Sequence, residues 1–156
     1  SAERTYQLLN QIAGRAGRGS VSGEVIIQGF NMHHYSIVMA SKHDYSGFYR
    51  EEMKIRKILK YPPFYNLCNI KISGRDYEAV FAEASKIASY LKREISGNII
   101  LGPSAANIPK INNIYYVGVI IKFKQTKEII EALKFINNKY RTSKVRVEID
   151  INPLKM

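Results

Sequence analysis

Leu67-Cys68-Asn69-Ile70-Lys71-Ile72-Ser73, followed by Gly74-Arg75-Asp76 and the run from Tyr77 to Gly97, is the stretch that decides the fold. Over residues 67–73, Cys68, Ile70 and Ile72 alternate with Asn69 and Lys71, the two-residue period of a half-buried strand. Beyond Asp76, Tyr77, Val80, Phe81, Ala84, Ile87, Ala88, Leu91 and Ile95 recur at helical spacing. The pattern predicts a helix capped by the Asp76 carboxylate and closed by Gly97 in the left-handed region.

Working toward the C-terminus, a short strand is expected at Ile99–Leu101, then a loop through Gly102-Pro103 and Pro109, then a strand from Ile114 to Phe123. In that strand Tyr115, Val117, Val119, Ile121 and Phe123 share the core face. Thr126 is placed to cap a second helix carrying Ile129, Ile130, Leu133, Ile136 and Tyr140, and Val145, Val147, Ile149 and Ile151 alternate with charged residues in a last strand. Strand, helix, strand, strand, helix, strand is the order of a ferredoxin-like split βαββαβ unit: an α+β fold whose antiparallel sheet carries both helices on one face.

Toward the N-terminus the pattern changes at Tyr61-Pro62-Pro63-Phe64, where two prolines must end any helix arriving at Lys60. Glu3–Ala13 reads as helix, Gly14 to Gly19 as a glycine-rich turn, and Glu24–Gln28, between Gly23 and Gly29, as a short strand. From Ser41 a helix is expected, with Ser41 and Asp44 as a capping pair and Tyr45, Phe48, Ile55 and Leu59 along its apolar stripe. The organisation read from these changes is 1–40, then a connecting helix and Pro-Pro linker over 41–63, then the βαββαβ domain over 64–156.

Composition narrows the functional classes. The 156 residues carry a net charge of +11 at a pI near 9.7, with nine Lys/Arg against five Asp/Glu in residues 1–60 and fifteen against eight in 61–156. That surplus favours a polyanionic partner, nucleic acid foremost. The single Cys68 excludes an internal disulfide and a cysteine-rich zinc finger, and its place on the apolar face marks it as a small core residue. His33, His34 and His43 have no partner at ligand spacing, so no metal is assigned. No apolar run approaches ~18 residues, and Ser1-Ala2-Glu3-Arg4 lacks the pattern of a secretion signal, which points to the cytoplasm. Glu148 and Asp150 on the open side of the last strand would repel phosphates, so the bare sheet is a poor RNA platform.

The most specific local pattern is Gln11-Ile12-Ala13-Gly14-Arg15-Ala16-Gly17-Arg18. Its glycines allow a tight turn that brings two guanidiniums close together, each able to fork onto phosphate oxygens. The string resembles motif VI of superfamily 2 helicases. Gly23 to Gln28, His43-Asp44-Tyr45, Phe48-Tyr49, Glu52, Arg56, Tyr61-Pro62-Pro63-Phe64, Leu101-Gly102-Pro103, Pro109-Lys110 and Asp150-Ile151-Asn152-Pro153 extend the resemblance along nearly the whole chain. Together they resemble the C-terminal end of the PriA family of primosomal replication-restart helicases.

That resemblance implies that residues 1–40 are the C-terminal remnant of a second RecA-like helicase lobe. It also implies a parent enzyme that unwinds DNA 3′ to 5′ at the expense of ATP and helps assemble the primosome at stalled forks. Gln11, Gly14, Arg15 and Arg18 would then bind ATP in the intact enzyme, with Arg15 and Arg18 as arginine fingers. The implied cofactors are ATP and magnesium, with zinc in a region absent here. The implied partners are forked or single-stranded DNA, the acidic tail of single-stranded DNA-binding protein, and primosome and helicase-loading proteins. No membrane is implied. Lys110, Lys122, Lys124 and Lys127 are the candidate contacts to DNA or to the acidic tail.

Two features depart from the family pattern: Tyr116 and Gly118 stand where the family often carries arginine and glutamine. The sequence also contains no G-x-x-x-x-G-K-[ST] loop, so the expectation for this chain is no bound cofactor and no ATP hydrolysis of its own. The alternative from another class is a non-enzymatic RNA-binding or ribosome-associated ferredoxin-like module. The N-terminal third argues against it, since such a module has no need of Gln11, Arg15 and Arg18 at helicase spacing.

Overall fold

A computed structural model describes residues 1–16 and 23–153, apart from the side chains of Asn107 and Ile108, and the chain divides into two units, Ser1–Leu59 and Lys60–Met156.

The first unit contains α1 (Ala2–Ala13), α2 (Tyr35–Ser41) and α3 (Tyr45–Ile58). Its small core is Tyr6, Ala40 and Phe48, with the Tyr6 and Phe48 rings stacked 4.2 Å apart. A polar chain joins the three helices. Buried Glu52 on α3 accepts from the Tyr35 hydroxyl of α2 and from Arg56 Nε at 2.7 Å, and Arg56 Nη2 reaches Glu3 of α1 at 2.7 Å. Burial, reinforced by the bond to Glu52, raises the Tyr35 hydroxyl far above the ordinary tyrosine range. Burial alone would lower Arg56, but its bonds to Glu52 and Glu3 outweigh that and raise it.

Two expectations for this unit are corrected. Ser41 does not open the long helix: its Oγ donates back to the Val38 carbonyl at 2.9 Å and ends α2, a short helix that the sequence reading missed. Asp44 alone caps α3, accepting from Gly47 N at 2.8 Å. Residues 24–28 are not a strand, because an apolar run becomes one only beside a neighbour to bond with and no described residue of this unit pairs in the sheet.

The second unit runs β1 (Asn66–Gly74), α4 (Tyr77–Glu94), β2 (Ile99–Ile111), β3 (Ile114–Phe123), a single 3-10 turn (Thr126–Glu128), α5 (Ile130–Lys139) and β4 (Arg146–Ile151). The strands form one four-stranded sheet in the order β2-β3-β1-β4, with every neighbouring pair antiparallel. The alternation in β1 sets which face is buried. Cys68, Ile70 and Ile72 stand opposite Ile121, Val119 and Val117, all fully buried, and both helices pack onto that face through Val80, Ala84, Ile87 and Leu91 and through Ile129, Leu133 and Ile136. Cys68 is the small core residue its position predicts, and burial pushes its thiol up to about 12.

Asp76 caps α4 as read, accepting from Glu78 N at 3.0 Å. The helix ends at Glu94 with Ile95 as its C-cap, and Gly97 does not adopt the left-handed conformation expected of it. Thr126 caps nothing: its carbonyl accepts from Ile129 N at 3.1 Å inside the 3-10 turn that precedes α5. The largest correction is β2, which continues through Gly102-Pro103 and Pro109 where a loop was expected, with register shifts between Leu101 and Ser104 and between Ala105 and Lys110. Proline is tolerated there because β2 is an edge strand and one side of its backbone needs no partner.

Candidate nucleic-acid interface

The first candidate group lies at the end of α1. Gln11 is exposed on the last turn, and Gly14 caps the helix with its N–H directed at Asn10 O. Arg15 follows exposed, its N–H on Ile12 O at 3.0 Å, while Arg18 lies outside the described residues. A cavity of about 220 Å³ opens beside this turn, lined mainly by apolar side chains such as Leu9, Ala13, Val25 and Ile27. In the same unit Leu8, Ile12 and Val25 are exposed and Phe30 is entirely so. His34 caps α2, accepting from Ser36 N at 3.3 Å, and His43 Nδ1 lies 3.3 Å from Asn10 Oδ1. Among the described residues no three His, Cys, Asp or Glu side chains gather to hold a metal, and no helix is long and apolar enough to cross a membrane.

The lysine candidates lie in the second unit. Lys122 faces away from the helices, opposite Leu67 and Ile99, and is buried at 7% exposure with its Nζ 3.7 Å from the centre of the Tyr61 ring. Lys124 is exposed just beyond β3, 5.5 Å from the centre of the Tyr65 ring, and Lys60 approaches that ring at 5.8 Å. Such cation–π contacts are worth ~0.5–1 kcal/mol at the surface and ~2 kcal/mol when shielded from water. They hold the ammonium groups of Lys60 and Lys124 over one tyrosine and leave them open to an anion. Lys127 is exposed on the 3-10 turn that follows.

Lys110 stands apart. It pairs with Tyr115 at the other end of β3, 4.8 Å over that ring, and seven residues of strand put it ~23 Å from Lys122. The structure therefore joins Lys122 and Lys124 to Lys60, Tyr61 and Tyr65 and leaves Lys110 outside. The two tyrosines were missed in the sequence because the Pro-Pro segment reads as a break; the signal was there in aromatics flanking it within reach of a basic strand end.

The segment is held in place by the tail of the chain. Asn152, at φ +54°, donates its backbone N–H to Leu67 O at 2.7 Å and accepts from Leu67 N through Oδ1 at 3.0 Å, while its amide donates to Asn66 Oδ1 at 3.2 Å. Asn66 in turn donates to Lys124 O at 3.0 Å. One side chain thus ties the end of β4 to the start of β1 and, through Asn66, to the end of β3. On the open face, Lys71 pairs with Glu148 at 2.5 Å and holds that carboxyl below the usual range. Gly118 is not imposed by packing, since a Cβ there would meet only Asn69 Oδ1 at 3.7 Å and Ser104 O at 4.0 Å.

The second unit is thus an α+β domain with a cation–aromatic cluster at one end of its sheet. Residues 57–154 match the family described as Primosomal protein N C-terminal domain, and the chain belongs to it. Over its whole length the chain is 40% identical to replication restart protein PriA of Bacillus subtilis, 34% to that of Synechocystis and 36% to that of Borreliella burgdorferi. It spans 20%, 19% and 24% of those proteins' lengths, about a fifth of the curated relatives it matches. The designed protein Foldit4 overlays 58% of this chain, and 99% of its own, at 18% identity and a TM-score of 0.47, a likeness too slight to bear on function.

Proposed function

We propose that this chain is the C-terminal, DNA- and partner-binding part of a replication-restart helicase, acting in the bacterial cytoplasm. The observation that carries the reading is the 40% identity to a replication restart protein along the entire chain. The strand order β2-β3-β1-β4 with both helices on one face supports the ferredoxin-like split βαββαβ description of the second unit. On this reading Lys60, Lys124 and Lys127 meet DNA phosphates or the acidic tail of single-stranded DNA-binding protein. Buried Lys122 holds Tyr61 in place beneath them. Primosome and helicase-loading proteins are the further partners.

In the complete enzyme, Gln11, Gly14, Arg15 and Arg18 would complete an ATP site built on another lobe, with Arg15 and Arg18 on the terminal phosphate and magnesium held elsewhere. Alone, the chain lacks the phosphate-binding loop and hydrolyses no ATP. Phosphate release measured with ATP and DNA should equal the buffer background.

The deciding experiment is fluorescence anisotropy of a forked DNA, a blunt duplex and a hairpin RNA, each titrated at two salt concentrations. Preference for the fork at both salts supports the reading. Equal binding to all three that collapses with salt reduces it to a nonspecific phosphate term, and preference for the hairpin favours an RNA-binding module. Lys124→Glu should weaken fork binding severalfold and lower the salt slope by about one.

A further inference from the structure

On the helical side of the second unit, away from the lysine cluster, α4 and α5 enclose an open groove of about 490 Å³. Lys86, Tyr90 and Arg93 project along one stripe of α4, at helical spacings of four and three, and Phe135 and Lys139 project four apart from α5. The Tyr90 and Phe135 rings stack at 4.7 Å and 24°, yet Phe135 remains 48% exposed. Arg93 lies 5.7 Å from the Tyr90 ring and Lys139 lies 5.9 Å from the Phe135 ring, so the aromatic pair is flanked by cations. Among the described residues no carboxylate lines the groove, although Lys86 pairs with Glu83 at 2.7 Å and Arg93 with Glu94 at 2.8 Å. The Arg93–Glu94 pair is exposed and of the kind that contributes ~0–1 kcal/mol and yields readily to a competing anion, while Lys86 is itself exposed although its partner Glu83 is half-buried.

We propose that this groove binds single-stranded nucleic acid, with an unpaired base laid against the Tyr90–Phe135 stack and the adjoining phosphates on Lys86, Arg93 and Lys139. The proposal rests on the reading above that the domain binds DNA, but it places a second contact on the opposite layer of the fold. An acidic peptide would satisfy the cations and leave the Phe135 ring half in water. A nucleotide carries a flat ring and an anion one backbone link apart, which matches both features. Stacking platforms of this kind tolerate any base and add to affinity base by base.

The test uses the 156-residue chain with an oligothymidylate carrying 5-iododeoxyuridine, irradiated and mapped by mass spectrometry, with affinities measured in parallel. Crosslinks are expected at Tyr90 or Phe135. Phe135→Leu, which keeps the apolar volume and removes the ring, should weaken oligothymidylate binding about tenfold, and Lys139→Gln should lower the salt slope by about one. Thermal melts within a few degrees of the parent establish that both variants are folded. Crosslinks elsewhere, wild-type affinity in folded Phe135→Leu, or displacement of the oligonucleotide by oligoglutamate at equal concentration would each overturn the assignment. Lys124→Glu separates the two sites. If it abolishes fork preference but leaves the crosslinks at Tyr90 or Phe135, the groove stands on its own; if forks bind normally and those crosslinks are absent, only the groove fails.

Discussion

At Gly102 the backbone has φ +99°, and a Cβ built there would lie 2.7 Å from the Gly118 carbonyl oxygen and 3.2 Å from the Ser104 amide nitrogen. Neither backbone group can swing aside as a side-chain tip could. Gly102→Ala should therefore destabilise the second unit by about 1–3 kcal/mol, read as a lowered melting temperature. Gly97 is the control: it avoids positive φ, and nothing lies within 4 Å of a Cβ there. Gly97→Ala should be neutral or stabilising by up to ~1 kcal/mol. Asn152→Ala removes the acceptor for the amide of buried Leu67 and should cost about 1–3 kcal/mol. Both Gly102 and Asn152 stood in the sequence as parts of recognisable strings, but what each does depends on a strand 16 or 85 residues away in the chain. No local pattern carries that information.

At the scale of elements, tyrosines and carboxylates set how stability varies with pH. Tyr140, at the end of α5, donates to Glu83 of α4 at 2.7 Å. Burial and then that bond raise its hydroxyl well above the ordinary value of 10, as happens at Tyr35 in the first unit. A raised value means a contribution fully present below pH 10 and lost as pH climbs through the folded-state value, because the unfolded chain ionises first. Melting temperatures should fall steeply above pH 10, and Tyr140→Phe should flatten that fall. Glu83, lowered by its bonds to Lys86 and Tyr140, and Glu148, lowered chiefly by Lys71, have the opposite sign. Their contribution is present above the ordinary value of 4.5 and disappears as pH drops through the depressed folded values, so Glu148→Gln should reduce the acid-side loss.

The elements themselves were legible wherever one face is buried along their whole length, as in β1, α4 and β3. They were illegible where ends compete. Ser41 chose its own helix's carbonyl over the amides ahead of it, the chain entered α5 through a 3-10 turn, and β2 absorbed two prolines because one side of it has no neighbour to satisfy.

For the whole molecule, the two units have very different cores: Tyr6, Ala40 and Phe48 in one, and a continuous sheet-and-helix core in the other. Local stability follows buried apolar contact. Amides in α1, α2 and α3 should exchange with solvent markedly faster than those in β1 and β3, as hydrogen exchange read by mass spectrometry can show. Equal protection in the two units would contradict this account. The family was legible in the helicase-like string and in the motifs that follow it along the chain. The cation–aromatic cluster was not, because its members come from the linker and from the far end of β3 and meet only once the sheet has formed.

The sheet's two outer strands differ in build but share one property. β2 is interrupted by Gly102, Pro103 and Pro109 and slips register twice, while β4 is six residues long and carries Arg146, Glu148 and Asp150 on its outward side. Neither rim offers a long, flat, uncharged row of amides and carbonyls for another chain to add to. The domain is thereby kept from polymerising strand to strand through its own sheet when it is crowded.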